Sequence, residues 1–328
     1  MLEADHVPVF SDQMLISFVP GWHWAPRSHV LGVGILSVTL AMWRLEISVA
    51  ITPETASLPR DVTFVGEANF ERLLKKAVEE NWAELPIGEC IAKVAIAFQG
   101  TKYQTFPMEI DDHIEAPSVN LEGMDCWTFF EISLAFARML KTGKSDLAPQ
   151  DLLDQIECLR YRGGECHGSY LDRLHYVSEW IFEAESRGIV ENITNQVSAY
   201  STRIRFRKIF ELTSLWRRYR YLRENSELRE PMRELEAAVE RLPVTHLPKA
   251  IVPDVEAKIQ EGDILAIATG QDGVYCSEVG IAVKKPDGSL RFMHAAQQFE
   301  KVFLDKTISA YLQENRNRIG VIVVRPKE

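Results

Sequence analysis

The segment Cys126–Leu140 constrains the fold of this chain more than any other stretch of its sequence. Its residues have helical spacing and leave little polar surface, because large apolar side chains recur on most sides: Phe129, Phe130, Ile132, Leu134, Phe136, Ala137 and Leu140. A helix of this kind is stable only when other parts of the chain cover it. Asp125, directly before it, is a good N-cap residue. The sequence therefore predicts a buried central helix that begins at Cys126.

Helical patterns surround this segment, and strand patterns follow later in the chain. Apolar residues at helical spacing predict further helices at residues 69–81, 87–98, 152–159 and 174–184. Short apolar runs separated by Gly, Pro and Asp predict strands at residues 263–268, 279–283, 290–294 and 320–324. Asp287-Gly288, between the second and third of these runs, is a typical hairpin turn. This order predicts an α+β fold in which N-terminal helices pack on one face of a C-terminal antiparallel β-sheet.

Residues 1–55 have the features of a leader before a single domain at residues 56–328, since no repeat and no clear linker follows Thr52. Residues 30–43 are uncharged and mostly apolar. This run is shorter than the about 20 residues of a membrane-spanning helix, so no stable span is expected. It suits the apolar region of a signal peptide, with Ser48-Val49-Ala50 as the cleavage site, and would direct the protein to the periplasm or elsewhere outside the cytoplasm. The alternative is a buried N-terminal element in a cytoplasmic protein.

Composition and charge narrow the function classes. The 328 residues carry 37 Lys and Arg against 47 Asp and Glu, and this net charge of −10 argues against nucleic acid as the main partner. Five cysteines are too few for a disulfide scaffold, and the sequence contains no C-x-x-C pair. His and Cys do not fall at the spacing of metal ligands, so we expect neither a metal nor a cofactor. These observations favour a soluble enzyme or binding module.

Residues 203–223 depart from this acidic average. Their Lys and Arg residues are accompanied by a single acid, Glu211, which gives a local charge of +7 and leaves −17 on the rest of the chain. Aromatic residues are interleaved with the cations. Two interpretations are about equal: a solvated amphipathic segment, and a wall of cations that grips a carboxylate-bearing ligand. Nucleic acid is disfavoured by the acidic surroundings.

Cys126, in the first turn of the predicted central helix, is a candidate nucleophile. Free backbone N–H groups and the dipole at a helix N-terminus favour the thiolate, and the same N–H groups can hold an oxyanion. The alternative is an inert core cysteine, which is the commoner fate of a lone cysteine. A nucleophilic cysteine needs a base, usually His. His175 lies on the predicted helix 174–184 and His294 ends a predicted strand, whereas structural roles are expected for His113, His167 and His246.

Several short motifs occur in an order that resembles a known family. Asp125-Cys126 at a helix start is followed by Gly262-Asp263-Ile264-Leu265, by Val279-Gly280-Ile281-Ala282-Val283 and by Met293-His294-Ala295. Four more stretches match in the same order, at residues 100–103, 119–121, 159–164 and 173–176. Together they resemble the NlpC-type papain-like cell-wall peptidases, and within that superfamily the N-acetylmuramoyl-L-alanine amidase-like branch. The resemblance covers about residues 85–325.

The resemblance implies a papain-like core and a thiol amidase that acts on peptidoglycan fragments (muropeptides). It implies cleavage between the lactyl group of (anhydro)muramic acid and L-alanine through a thioester on Cys126. His294 matches the third, orienting residue of the family's triad. The resemblance also places a set of residues on the substrate side: Tyr103, Asn120, Asp125, Arg173, His175 and Tyr176.

The base position departs from the family's pattern, because Glu278 stands where the family has His before Val-Gly-Ile. A carboxylate with an ordinary pKa of about 4.3 is a poor match for a thiol near 8.5, and it cannot form a thiolate–imidazolium pair. Three outcomes are open: a homologue that binds muropeptides without efficient cleavage, His294 as the base with Glu278 orienting it, or slow proton transfer by a buried Glu278. A thiol protease with an unrelated substrate is a weaker fourth interpretation.

Overall fold

A computed structural model describes residues 58–328 of the chain. The predicted leader and signal peptide at residues 1–55 lie outside the described residues. The helices are α1 (Arg60–Thr63), α2 (Glu67–Glu79), α3 (Ile87–Ala97), α4 (Cys126–Leu140), α5 (Pro149–Arg160), α6 (Val177–Ser186), α7 (Thr194–Val197), α8 (Glu211–Ser214), α9 (Arg220–Glu224), α10 (Arg229–Val239), α11 (Val252–Val255) and α12 (Ile308–Gln313). The strands are β1 (Phe64–Val65), β2 (Lys102–Tyr103), β3 (Val119–Asn120), β4 (Gly123–Met124), β5 (Val190–Asn192), β6 (Thr202–Arg203), β7 (Thr245–Pro248), β8 (Ile264–Thr269), β9 (Cys276–Lys284), β10 (Leu290–Ala296), β11 (Lys301–Leu304) and β12 (Arg318–Pro326).

A ten-stranded sheet forms the framework of the fold. Its strands run in the order β4-β2-β11-β10-β9-β8-β12-β7-β6, and β5 pairs with β12 off this path. The four strands expected near the C-terminus are confirmed and form the middle of this sheet, with the turn Asp287-Gly288 between β9 and β10. The C-terminal strands pair antiparallel as predicted, but β2 and β4, which the prediction did not include, pair in parallel. These two short strands come from the segment before α4, so the sheet is mixed and draws on both halves of the chain.

Helix α4 is the central helix that the sequence predicts, with the predicted bounds. Thirteen of its residues are buried, because α3, α5 and strands β9 and β10 pack around it. Asp125 caps it, since its Oδ1 accepts a hydrogen bond from the backbone N–H of Thr128 at 2.8 Å. Such a cap stabilises a helix by about 1 kcal/mol. Packing of α4 against β9 and β10 brings its first residue, Cys126, to the strands that carry Glu278 and His294.

Three of the four other predicted helices are confirmed within a few residues, as α2, α3 and α5. The fourth, predicted at residues 174–184, begins three residues later, because α6 starts at Val177. His175 is therefore not on a helix. Its backbone N–H donates to Glu179 Oε2 at 3.2 Å, so it leads into the first turn of α6 from outside. Within residues 58–328, no helix combines the length and the apolar character that a membrane crossing requires.

Two buried arginines tie the irregular segment between β2 and β3 to the helices. Arg160, at the end of α5, contacts Glu131 on α4 with 2.5 Å between Nη2 and Oε2, and also donates to a carbonyl of that segment. Arg173 contacts Glu115 within the segment, with 2.6 Å between Nη2 and Oε2. Each guanidinium thus faces a carboxylate at hydrogen-bond distance, which is the condition for burying such charges. The pairs fix the loop that forms one rim of the site described next.

Candidate functional site

The first turn of α4 opens into a cleft of about 240 Å³. Aromatic and aliphatic side chains make up most of its wall: Phe106, Met108, Trp127, Tyr170, Leu174, Tyr176, Val177, Leu212, Tyr219, Val274 and Val279. Polar side chains converge from α4, β9 and the loops: Glu109, Asp125, Cys126, Arg173, His175, Glu211, Cys276, Ser277 and Glu278. A mostly apolar cleft with a few polar groups is the usual form of a small-molecule site. Cys126, half-buried, is its candidate reactive group.

The thiol of Cys126 lies beside carboxylates. Burial raises the pKa of this thiol well above its usual value, and the carboxylates of Glu278 and Asp125 raise it further, whereas the backbone N–H of Val279 lowers it. Burial raises the pKa of Asp125 to about 6, so this carboxylate is still mostly ionised near pH 7. The dipole at the start of α4 opposes these effects but does not overcome them. Cys126 is therefore a neutral thiol near pH 7.

His294 stands between two carboxylates. Its Nδ1 lies 3.7 Å from Glu278 Oε1, and its Nε2 lies 3.5 Å from Asp305 Oδ2. The ring stacks on Phe292 with 4.6 Å between the centroids, and its side chain is only 2 % exposed. Burial alone would lower the pKa of His294, but the contacts with Asp305 and Glu278 outweigh it and raise that pKa. The two acidic neighbours thus favour the protonated form of the imidazole.

These contacts define an order of side chains, Cys126, Glu278, His294 and Asp305. In a thiol enzyme the cationic imidazole adjoins the sulfur and stabilises the thiolate. Here the carboxylate of Glu278 adjoins the thiol, and the imidazole of His294 is the next group along. Glu278 Oε1 and His294 Nδ1 face each other without a hydrogen-bond partner in the part of the chain that the structure describes. The row of side chains ends in a second carboxylate, that of Asp305.

Asp305 is the site residue that sequence reasoning misses. It follows β11, and its backbone N–H donates to the Phe292 carbonyl at 2.8 Å, which brings it beside His294 on β10. Burial raises the pKa of Asp305, but the hydrogen bonds from His294 and from the backbone N–H of Lys306 outweigh burial and lower it. Its signal in the sequence is an aspartate close after an apolar strand that pairs with the His294 strand. That signal has meaning only once the register is known.

Tyr103 and Asn120 lie at the two sides of the turn before α4. Burial raises the pKa of the Tyr103 hydroxyl, with Cys126 and Asp125 adding to the shift, so this hydroxyl stays protonated next to the site. Asn120 has a local role, because its Oδ1 accepts hydrogen bonds from the backbone N–H groups of Glu122 at 2.9 Å and Gly123 at 3.0 Å. Its side chain shapes the turn between β3 and β4, and Asn120 is not among the residues that line the cleft.

Arg173, His175 and Tyr176 line the cleft, and the side chain of each makes at least one hydrogen bond within the protein. Arg173 Nη1 lies 3.1 Å from Glu109 Oε1, in addition to its pairing with Glu115. Burial lowers the pKa of His175 well below its usual value, and the nearby Arg173 lowers it further, so this imidazole is neutral. It contacts the Tyr170 carbonyl through Nε2 at 2.8 Å. These residues therefore shape the wall and leave no free cation there.

Tyr176 anchors a second part of this wall. Its hydroxyl donates to Glu236 Oε1 at 2.6 Å, and the backbone N–H of Leu212 donates to the same oxygen at 2.9 Å. Glu236 is buried on α10. The Glu236 carboxylate thus joins Tyr176, directly before α6, to Leu212 on α8, which belongs to the basic segment.

The basic segment 203–223 contributes Glu211, Leu212 and Tyr219 to the cleft, and none of its cations. Among residues 58–328, the arginine that lines the cleft is Arg173, and it is paired. The hypothesis that this segment provides a wall of cations around the ligand is therefore wrong for this cleft. Burial raises the pKa of Glu211, although Arg218 nearby lowers it.

All five cysteines are free thiols. The described residues contain no group of three or more His, Cys, Asp or Glu side chains placed to hold a metal ion. Cys276 lines the cleft together with Cys126. Burial raises the pKa of Cys276 to about 12, so it is also a neutral thiol.

The sequence matches the AmiA-like family, described as N-acetylmuramoyl-L-alanine amidase-like, over residues 93–321. This match covers most of the chain, so the protein belongs to that family. No curated protein matches it.

Solved structures agree with this assignment. An N-acetylmuramoyl-L-alanine amidase from Bacteroides uniformis ATCC 8492 shares 28% identity and a TM-score of 0.66, over 74% of this chain and 99% of its own. A Bacteroides fragilis protein whose name suggests a xylanase shares 30% identity and a TM-score of 0.64, over 71% and 99%. A Legionella pneumophila protein shares the fold, with 18% identity and a TM-score of 0.58, over 80% and 97%.

Proposed function

We propose that this chain binds muropeptides in the cleft at Cys126 and that Glu278 suppresses cleavage of the muramoyl–L-alanine bond. In this proposal the core is papain-like, of the NlpC type, and Cys126 keeps the place of the nucleophile without being ionised. The observation that carries the proposal is the carboxylate of Glu278 next to the thiol, which raises its pKa. A location outside the cytoplasm is part of the same proposal, because residues 30–43 suit the apolar region of a signal peptide.

Support for binding comes from the wall of the cleft. The half-buried rings of Phe106 and Tyr219, with 5.2 Å between their centroids, offer apolar surface that suits the sugar ring and methyl groups of a lactyl-alanine unit. The name of the Bacteroides uniformis relative, an N-acetylmuramoyl-L-alanine amidase, supports the same class of ligand. Backbone N–H groups at the start of α4 can orient the carbonyl of such a ligand.

Suppressed cleavage follows from the lack of a suitable base for the thiol proton. Attack on an amide needs a thiolate, so the thiol proton has to move to a nearby base. A carboxylate is ordinarily a much weaker base than an imidazole near neutral pH. His294 lies between Glu278 and Asp305, and its two ring nitrogens face these carboxylates rather than the thiol. Neither neighbour can complete the first step at an enzymatic rate.

A second candidate function is a working amidase with an unusual base. It is favoured by Cys126 at the start of a capped helix, which is where a thiol nucleophile and an oxyanion hole can be combined. Glycoside hydrolysis, the activity that the name of the Bacteroides fragilis relative suggests, fits this site less well. Glycoside hydrolysis uses a pair of carboxylates on either side of the bond, and Asp125 is occupied in capping α4.

The substitution Glu278→His tests both candidates. We expect the wild type to bind anhydro-muropeptides without releasing the L-alanine-terminated peptide, and the variant to release it at least ~10²-fold faster, the usual gain from a positioned general base. Release is measured by mass spectrometry and binding by calorimetry. Cys126→Ala should bind as the wild type does, and adding it to Glu278→His should abolish release.

The outcomes separate the two functions. If the wild type releases peptide as fast as Glu278→His does, and this release is lost in Cys126→Ala, the chain is a working amidase rather than a binding protein. Failure of every variant to bind or cleave muropeptides would overturn both. Glu278→Gln is the matched control, because it removes the charge without supplying an imidazole.

A further inference from the structure

The basic segment has an exposed part that the cleft does not use. Phe206 is fully exposed, at 101 % of its reference area, and it is the most exposed large apolar side chain among the described residues. Arg203 and Arg205, on either side of the buried Ile204, are exposed as well. We call Arg203, Arg205 and Phe206 the Phe206 patch. It begins on β6, the edge strand of the sheet.

The backbone forces Phe206 outward. Its φ is +57°, in the left-handed region that a bulky residue rarely adopts. Such a conformation persists only when the surroundings impose it. Arg207 supplies the restraint, because its guanidinium donates to the Thr269 carbonyl at 3.1 Å and lies 3.4 Å from Asp272 Oδ1. The loop is therefore fastened to the turn after β8, and it presents an apolar ring to solvent.

The charge around this ring is positive and available. Lys208 is paired with Glu240 at 2.8 Å and Arg207 with Asp272, so these two acids are already neutralised. Arg203 and Arg205 have no salt bridge within residues 58–328. They border a shallow groove of about 310 Å³ that also contains the ring of Phe206. Two arginines without a salt bridge among the described residues thus border the same groove as one protruding aromatic side chain, on a chain whose net charge is −10.

We propose that the Phe206 patch attaches this protein to a membrane surface that carries anionic lipids. Phe206 inserts between the headgroups, while Arg203 and Arg205 bind the lipid phosphates. A protein partner fits less well, because a stable interface needs a broad apolar centre of several side chains. Here the neighbouring Ile204 and Ile209 are buried. The exposed Tyr200 and Phe210, nearby in the sequence, do not line the groove that Phe206 borders.

Vesicle sedimentation with the full chain tests this attachment. We expect binding to vesicles of equal parts phosphatidylglycerol and phosphatidylcholine, weak binding to phosphatidylcholine alone, and release at high salt. Replacing Arg203 and Arg205 by Gln should weaken binding ~30-fold, at about fivefold for each cation. Lys75→Gln with Lys93→Gln, on α2 and α3, changes the net charge equally and should leave binding within about twofold.

Phe206→Gly separates attachment from folding. Glycine adopts a positive φ without strain, so the melting temperature should stay the same or rise. The loss of the ring should nevertheless weaken vesicle binding ~10-fold or more. Equal binding to both kinds of vesicle would overturn the proposal. Binding that the Phe206 and arginine substitutions leave unchanged would also overturn it, because attachment would then belong to another part of the chain. The absence of any vesicle binding would overturn it as well and would favour a protein partner.

Discussion

Helix α4 takes part in two clusters of buried charge that are built differently. In the first, Glu131 faces Arg160 with 2.5 Å between Oε2 and Nη2, and both side chains are almost wholly buried. In the second, which begins at Cys126, His294 lies 3.7 Å from Glu278 and 3.5 Å from Asp305. The first cluster has its charges matched at hydrogen-bond distance. The second has an excess of acid and longer contacts.

The difference indicates which cluster serves stability and which serves chemistry. A buried ion pair with short, complete hydrogen bonds leaves little capacity for a ligand. Side chains whose atoms are buried but unpartnered, such as Glu278 Oε1 and His294 Nδ1, are held in place by the fold around them. Perturbed groups of this kind cluster at functional sites. On this comparison the Arg160 cluster is scaffold and the Cys126 cluster is the site.

The largest effect is expected from breaking the matched cluster. Glu131→Gln leaves the Arg160 guanidinium buried without its counter-charge, and we expect a loss of about 3–5 kcal/mol in the free energy of unfolding. Urea denaturation measures this loss. Glu79→Gln is the control, because it removes a carboxylate from an exposed pair with Lys75 and should cost less than about 1 kcal/mol. Equal losses in the two variants would contradict the scaffold role.

A smaller, pH-dependent effect is expected at Asp305. The folded pKa of His294 is raised, so its charged contacts stabilise the fold fully below the ordinary value of 6.5, and this contribution is lost as pH rises through the folded pKa. Asp305→Asn lowers that pKa. The variant should therefore be less stable than the wild type by about 1–2 kcal/mol at pH 6, and the difference should shrink by pH 9.

Denaturation at several pH values tests the Asp305 prediction, and the imidazole resonances of His294 in NMR spectra report its titration directly. Glu122→Gln, an exposed carboxylate, serves as the control and should show no pH-dependent difference. A destabilisation by Asp305→Asn that is the same at pH 6 and pH 9 would mean that Asp305 acts through packing alone.

The smallest effect on stability is expected at Glu278. Glu278→Gln removes a charge whose contact with His294 is long, so the free energy of unfolding should fall by less than about 1 kcal/mol. The same substitution at Glu131 should cost several times more, which makes the pair of variants a direct test of the comparison. A loss at Glu278 as large as that at Glu131 would place Glu278 in the scaffold.

The sequence predicts those parts of the fold and site that depend on local pattern. The apolar character of α4 and the cap at Asp125 predict its bounds, and the runs after residue 262 predict the middle strands. Asp305 could not be found in this way, because its closeness to His294 depends on the register of β10 and β11. The short parallel pair of β2 and β4 has too few residues for a pattern. The sequence predicts His175 on a helix because the apolar spacing extends upstream of Val177, where α6 begins.

Electrostatics were hardest to predict, because they depend on pairing in space. The sequence of the basic segment suggests a run of free cations, yet Arg207 and Lys208 form salt bridges. The residues that the segment contributes to the cleft include Glu211 and Tyr219 and none of its cations. Glu278 could be recognised as a departure from the family pattern. That it lies against the thiol, while His294 is held by a second acid, required the structure.

The measurement that bears most directly on the account is the pH dependence of Cys126 alkylation by iodoacetamide, followed by mass spectrometry of the peptide that contains it. A thiol held neutral by burial and by Glu278 should react slowly at pH 7 and accelerate only above about pH 9, beyond the ordinary thiol pKa of about 8.5. Glu278→His should move this rise to below pH 8, and Glu278→Gln should move it part of the way. Rapid wild-type alkylation that levels off below pH 7 would show a stable thiolate and contradict the account.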